Sequence, residues 1–332
     1  MMQRLASVII AAVMASTAAQ STIAQSFDLQ GHRGARGLAP ENTIAAFATA
    51  LSIGVTTLEL DLAMTKDGVL VVSHDSRLNP DHTRGPDGQF LAAQGPAIRS
   101  LTLAELGQYD VGKLKPGTAY AGRFPDQKSV DGARIPALTE VFDLVRRSGA
   151  DHVRFNIETK LTPTSGADTP DPRTFAQALA VSLRAAGLTA RATIQSFDWR
   201  TLLAMKEIAP EIERVCLTIE TRGEDNIQRG RPGPSPWTAG LDIDDAGGST
   251  PKLVAAAGCQ VWSPYSGNVD QASMQQSKSL GLKVIPWTVN ERGPMEALIA
   301  LGVDGIITDY PDRLRKLLID KGVAVPPPVA VR

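Results

Sequence analysis

Leu58-Glu59-Leu60-Asp61-Leu62 is the stretch from which the fold can be read. Along an extended chain, successive side chains point to opposite faces. Glu59 and Asp61 therefore share one face and the three leucines share the other. The leucines suit an outer surface covered by helices. Two carboxylates on an inner face are costly unless cations or a metal ion meet them. Spacing alone leaves open a solvated pair on an edge strand. The same period recurs in Val153-Arg154-Phe155-Asn156-Ile157-Glu158-Thr159-Lys160. There Arg154, Asn156, Glu158 and Lys160 share the inner face, and Val153, Phe155 and Ile157 the outer. Two further apolar runs end in His32-Arg33 and in His74-Asp75.

Around these segments the chain alternates between β-branched or apolar runs and helical stretches. Strands are predicted over 28–34, 56–63, 69–74, 153–159, 192–197, 213–219, 260–264, 283–289 and 304–309. Helices are predicted over 41–53, 102–108, 137–148, 173–187, 199–208, 250–257, 269–280, 292–301 and 311–321. Strand-helix alternation argues for a parallel sheet with helical crossovers. Eight such units close a TIM (β/α)8 barrel, an α/β fold. The ninth strand is accounted for if 56–63 and 69–74 form a hairpin through the Asp67-Gly68 turn. Residues 76–136 and 222–249 break the rhythm with Gly, Pro and polar residues, and read as insertions over the open face. The first follows the second strand region. Residues 321–332 form a tail, with Val325-Pro326-Pro327-Pro328 expected to fray. No internal repeat is visible.

The chain has 332 residues, 43% hydrophobic and 21% charged, with a formal net charge of -1. That is ordinary for a globular protein and makes no case for nucleic-acid binding. Residues 1–25 read as a secretory signal peptide: Arg4, a short apolar run from Leu5 to Ala15, then small residues. Cleavage is placed after Ser16-Thr17-Ala18 or Thr22-Ile23-Ala24. The alternative, a membrane anchor, needs about 20 apolar residues, which the run lacks. The expected location is periplasmic or secreted, without stable membrane insertion. Cys216 and Cys259 are the two cysteines. A disulfide and two separate buried thiols are both compatible with the sequence.

In barrels of this kind the active site lies at the C-terminal strand ends, where these ionisable residues fall. Glu59, Asp61 and Glu158 are three hard oxygen donors, better suited to Mg²⁺ or Ca²⁺ than to zinc. His32, taken alone, could be a loop histidine bonded to backbone. Its setting, Gly31-His32-Arg33-Gly34, adds glycines that permit close approach and a guanidinium matched to phosphate oxygens. Two histidines, an arginine, a lysine and a metal together suggest phosphoryl chemistry with acid/base help.

At this point the residues resemble a known family. Gly31-His32-Arg33-Gly34 with Pro40-Glu41-Asn42-Thr43 is similar to the opening motif of glycerophosphodiester phosphodiesterases of the periplasmic bacterial type. Glu59-x-Asp61, Ser73-His74-Asp75, Asn156-x-Glu158-x-Lys160, Gln195-Ser196-Phe197, Pro286-Trp287-Thr288-Val289-Asn290 and Thr308-Asp309-Tyr310-Pro311 follow in family order. The resemblance implies a TIM-barrel catalytic domain over 26–320, with His32 and His74 as the acid/base pair. It implies Glu59, Asp61 and Glu158 as ligands of one divalent ion, Ca²⁺ or Mg²⁺. Arg33 and Lys160 would contact phosphate. Glu41 would be a further ligand, a neighbour of the metal site or a glycerol contact, or simply a first-turn residue favoured by the helix dipole. Trp287 is a candidate apolar wall for glycerol, with core packing as the alternative, and Gln195 a candidate for the pocket floor. His82 and His152 match no motif and are expected to be structural or on the surface.

The resemblance also implies a reaction. Glycerophosphodiesters would be hydrolysed to sn-glycerol 3-phosphate and an alcohol, through attack by the substrate's own 2-hydroxyl and a cyclic phosphate that water opens. One histidine takes the hydroxyl proton and the other protonates the leaving alcohol. Two alternatives stand beside it. A phospholipase D-like hydrolase of lysophospholipids would need a hydrophobic cleft, but 76–136 holds few large apolar residues (Phe90, Tyr109, Tyr120, Phe124). A non-catalytic phosphodiester-binding barrel is disfavoured by the intact histidines and carboxylates.

Overall fold

The structure is a computed structural model that describes residues 27–331. The predicted signal peptide lies outside the described residues. Nine strands form: β1 (Asp28–Gly31), β2 (Thr57–Met64), β3 (Leu70–Val72), β4 (Arg154–Thr159), β5 (Ala192–Ser196), β6 (Glu213–Thr218), β7 (Val261–Pro264), β8 (Lys283–Val284) and β9 (Gly305–Thr308). Each overlaps a predicted strand. β3 pairs antiparallel with β2, and Gly68 takes the left-handed conformation that the intervening turn demands (φ 80°). The other eight are parallel, in the spatial order β8-β7-β6-β5-β4-β2-β1-β9. Backbone bonds from Asp304 N to Val284 O (2.9 Å) and from Ile307 N to Pro286 O (3.0 Å) bridge the two ends. The sheet is thus a nearly closed (β/α)8 barrel. β8 is cut short because Pro286 has no N–H to donate to a ladder.

Eight helices follow the parallel strands in turn: α1 (Ile44–Ile53), α2 (Leu138–Arg147), α3 (Pro172–Ala186), α4 (Trp199–Ile208), α5 (Thr250–Ala257), α6 (Gln271–Ser279), α7 (Arg292–Leu301) and α8 (Pro311–Asp320). α1 starts at Ile44, three residues later than expected, because Thr43 is its N-cap and accepts from Ala46 N. Glu41 therefore precedes the helix.

The period-two reading of β2 holds in three dimensions. Leu58, Leu60 and Leu62 are fully buried in the core between barrel and helices, with Phe47, Leu51, Phe155 and Ile157. Inside, Asn156 Nδ2 donates to Gln30 Oε1 (2.9 Å) and to Gln195 Oε1 (2.8 Å), while Thr193 donates to Asn156 Oδ1 (2.9 Å). These bonds satisfy buried polar groups that would otherwise be costly.

The segment between β3 and α2 builds a satellite core. Leu78, Ile98, Leu106, Val111 and Ile135 pack on Ala63 and Val71 of the hairpin, and a single helical turn, Ala119–Gly122, reaches the barrel mouth. Cys216 and Cys259 form a disulfide joining β6 to the residue two before β7, which decides between the two readings open from sequence. The Pro-rich tail is not frayed. Arg315 Nη1 donates to Pro326 O (2.6 Å) and Val329 N to Leu51 O (3.0 Å), tying it across α1.

Candidate active site

At the C-terminal mouth, β1 ends in Gly31 and the chain turns sharply. A Cβ on Gly31 would collide with the carbonyl of Gly34, so only glycine fits there. The turn places Arg33 in the left-handed region (φ 51°). Its backbone N–H donates to Glu59 Oε2 (2.7 Å), its Nη1 to Glu41 Oε1 (2.6 Å), and its Nε lies 3.3 Å from Asp61 Oδ2. Asn42, also left-handed (φ 56°), donates to Asp61 Oδ2 (2.9 Å). Tyr120, from the helical turn of the insertion, donates its hydroxyl to Glu41 Oε2. Arg33 and its carboxylates are thus clamped before any ligand arrives.

The two histidines are held in the same manner from opposite sides. His32 Nδ1 meets Asp309 Oδ1 at 2.7 Å. Asp309 is itself fixed by Arg36 (Nε 2.8 Å, Nη2 3.1 Å) and Asn290 Nδ2 (2.8 Å). His74 Nδ1 meets Asp75 Oδ1 at 2.8 Å, and Asn79 donates to the other oxygen at 2.7 Å. A carboxylate on Nδ1 leaves Nε2 as the nitrogen that can exchange a proton. Burial, then Arg36, push the His32 pKa down to about 4 against the pull of Asp309. Burial, then Arg33 and Lys160, bring His74 to about 4 as well. Burial opposes ionisation of Asp309 and Asp75, but Arg36 and His32 in one case, and His74, His82 and Asn79 in the other, hold both below the carboxylate range.

Between the histidines lies the carboxylate triad. The parallel register sets Asp61 beside Glu158 and Glu59 beside Asn156, so the inward faces of adjacent strands stack their oxygens. One oxygen from each of Glu59, Asp61 and Glu158 lies within 4.8 Å of the others. Glu59 Oε1 accepts from Gln195 (2.7 Å), and Glu158 Oε1 is 2.8 Å from Lys160 Nζ. Asp61 Oδ1 is buried without a hydrogen-bond partner. Burial, then Asp61 beside it, raise the Glu59 carboxyl well above its usual value. Burial also raises Glu158, with Lys160 opposing and Asp61 adding. Asp61 is pulled down instead, because Arg33, His74 and Lys160 outweigh its burial. An orphaned buried carboxylate oxygen, with two neighbouring carboxylates driven toward protonation, fits a hard divalent cation.

The residues given catalytic, metal or substrate roles from sequence gather at this mouth, not always in the expected use, whereas Arg154 begins β4 at the opposite end of the barrel, 3.7 Å from Asp28. Gln195 spends its amide on Glu59 and Asn156, and so steadies the triad. Trp287 is half-buried, donates to Ser263 O (3.0 Å) and meets Phe197 edge-on while lining the mouth cavity. Glu41 joins Arg33, outside the triad. Burial opposes its ionisation, but Arg33 holds its pKa at about 2. His82 is no bystander, since its Nε2 is 3.9 Å from Asp75 Oδ2. His152 is exposed. Asp309, Asp75, Arg36 and Tyr120 received no role from sequence. The first two carried a signal, as acids at strand ends. Tyr120 lay 79 residues from Glu41 in an irregular segment and carried none.

Known proteins show the same arrangement of chain. The family model for the glycerophosphoryl diester phosphodiesterase family matches residues 32–313. This chain belongs to that family. A glycerophosphodiester phosphodiesterase from Caldanaerobacter subterraneus subsp. tengcongensis is 30% identical over 86% of this chain and 96% of its own length. One from Bacillus subtilis is 29% identical over 86% and 84%. A solved Silicibacter pomeroyi structure, described as a candidate glycerophosphoryl diester phosphodiesterase, is 34% identical with TM-score 0.80, covering 91% of this chain and 96% of that one.

Proposed function

We propose that this member of the family hydrolyses glycerophosphodiesters to sn-glycerol 3-phosphate and an alcohol. His32 and His74 form the proton-transfer pair, and Glu59, Asp61 and Glu158 hold one divalent ion, Ca²⁺ or Mg²⁺. The observation that carries this reading is the pairing of two imidazoles, each bound through Nδ1 to a carboxylate, across a cavity of about 550 Å³ that Glu59, Glu158, Arg33 and Lys160 also line. Four buried carboxylates (Glu41, Glu59, Asp61, Glu158) face two cations (Arg33, Lys160) in this cluster. The excess negative charge would repel a phosphodiester unless a divalent cation offset it.

Bound there, a divalent ion supplies Lewis acidity toward a phosphate oxygen and an attacking hydroxyl. The chain's own groups supply the rest. Arg33, held by Glu41 and Asp61, presents its remaining guanidinium edge to phosphate, and Lys160 offers a second positive charge. One imidazole Nε2 takes the proton of the substrate's 2-hydroxyl, held next to phosphorus. The other gives a proton to the departing alcohol oxygen, and water then opens the resulting cyclic phosphate to sn-glycerol 3-phosphate. Tyr120 keeps Glu41, and through it Arg33, in place.

The chain is read as exported, from its N-terminal apolar run, with the Cys216–Cys259 disulfide in support. No helix among the described residues is long and apolar enough to cross a membrane. The test of function is release of glycerol 3-phosphate from glycerophosphocholine, with and without chelator, beside His32→Ala. Chelator-sensitive turnover that His32→Ala abolishes is expected. No turnover in any divalent ion would overturn the proposal.

A further inference from the structure

Each imidazole of the mouth is backed by a carboxylate, and each carboxylate is backed in turn by the same kinds of group. Asp309 accepts from the Asn290 amide at 2.8 Å and from the Arg36 guanidinium at 2.8 and 3.1 Å. Asp75 accepts from the Asn79 amide at 2.7 Å, and the place of the guanidinium is taken by His82, whose Nε2 lies 3.9 Å from Asp75 Oδ2. The two arms differ in how far the carboxylate is enclosed. The Asp309 side chain is 2% exposed and that of Asp75 33%. A carboxylate open to water can turn away at little cost, so Asp75 depends more on its tethers. His82 itself is largely covered. Its backbone N–H donates to Asn79 O (3.3 Å), and the Tyr120 ring lies beside it with centroids 6.0 Å apart. The charges that face it are Asp75 from its own loop, and Glu41 and Arg33 from the turn after β1. Burial opposes its protonation, but Asp75 and then Glu41 outweigh burial and raise its pKa above the ordinary histidine value.

We propose that His82 is a positioning residue for the reaction: its imidazolium stands behind Asp75 as Arg36 stands behind Asp309, and holds that carboxylate against His74 Nδ1. The proposal rests on the functional reading above. His82 does not line the mouth cavity, so it acts through Asp75 and not on the substrate. A positive charge at that place does two things. It fixes the rotamer of a partly open carboxylate, and with it the His74 nitrogen that faces the substrate. It also draws on the charge of Asp75 and tempers its hold on the His74 proton, in the sense in which Arg36 acts on His32. The arms differ in permanence. A guanidinium keeps its charge at every working pH, whereas an imidazolium gives up its proton within the range of ordinary assays. One arm is therefore fixed and the other is graded by pH.

The test measures kcat and KM for glycerophosphocholine at saturating divalent ion, from about pH 6 to about pH 9, for the parent, His82→Gln, Asp75→Asn and the double variant. His82→Gln keeps an amide donor and loses the charge. It should lower kcat about fivefold at about pH 6, with KM within about twofold of the parent. The gap should close to within about twofold by about pH 9, where His82 of the parent has also given up its proton. Because the effect passes through Asp75, His82→Gln should change kcat less than about twofold in the Asp75→Asn background. Equal rates of parent and His82→Gln at the acid end, a gap of the same size at both ends of the range, or an undiminished effect in the Asp75→Asn background overturns the inference while leaving the hydrolase standing. Absence of turnover by the parent in any divalent ion overturns the functional reading and this inference together.

Discussion

Asp309→Asn removes one charge from the centre of a buried knot. The carboxylate is 1% exposed and takes His32 Nδ1 at 2.7 Å, Arg36 at 2.8 and 3.1 Å, and Asn290 at 2.8 Å. An asparagine offers one acceptor oxygen where the aspartate offers two. Whichever way the amide turns, its NH2 faces at least one group that was donating. Arg36, also buried, loses its carboxylate, and breaking a buried pair costs about 3–5 kcal/mol. In a chain of this size that lowers Tm by about 5–8 °C. If the NH2 faces His32, the imidazole moves its proton to Nε2 and cannot accept one there. Loss of a positioned acid or base costs about 10²–10⁴ in rate. We expect kcat to fall about 10³-fold with KM changed less than about threefold. Initial rates of glycerol 3-phosphate release at saturating divalent ion, run beside thermal unfolding by circular dichroism, separate the two effects. A folded Asp309→Asn protein with kcat within about threefold of the parent would refute the argument that Asp309 sets the His32 tautomer.

Other outcomes follow from the same geometry. Without a cation, the raised Glu59 and Glu158 carboxyls mean that the folded chain holds protons the unfolded chain has released. Their contribution to stability is therefore lost as pH rises from about 4.3 through the folded values. Ca²⁺ or Mg²⁺ should accordingly raise Tm more at pH 8 than at pH 5, and at about 100 times Kd the gain is about 2.7 kcal/mol; differential scanning calorimetry showing a pH-independent shift would count against the triad as the ion's seat. Tyr120→Phe removes the hydroxyl on Glu41 and should lower kcat/KM about fivefold, corresponding to about 1 kcal/mol for one hydrogen bond. Cys216→Ser opens a bridge spanning 43 residues and should cost about 2–4 kcal/mol in urea unfolding; equal stability of parent and variant under oxidising conditions would exclude the disulfide. Gly31→Ala places a Cβ against the Gly34 carbonyl and should abolish soluble folded protein or, failing that, activity; a normal Tm with normal rates would contradict the tight turn.

Much of this site could be read from neighbouring residues, because a strand's side-chain period depends only on the local backbone. Glu59, Asp61 and Glu158 are brought together by period two and parallel pairing, and the motif Gly31-His32-Arg33-Gly34 contains its own steric reason for glycine. The ordered motifs fixed the family and hence the barrel. What sequence could not supply were the contacts made when distant segments meet. Asp309 reaches His32 across 277 positions, because β9 closes the barrel against β1. Tyr120 reaches Glu41 because the insertion folds back over the barrel mouth, where Phe124 meets its ring edge-on. Cys216 and Cys259 are bonded because β6 and β7 are neighbours in the sheet. The Pro-rich tail is ordered because Arg315 and Leu51 offer partners for its backbone. The residue types and the face each one occupies were thus set by local chemistry. That Asp309 steadies His32 was decided by closure of the barrel, which alone brings those two side chains within bonding distance, whereas Asp75 stands beside His74 in the sequence itself.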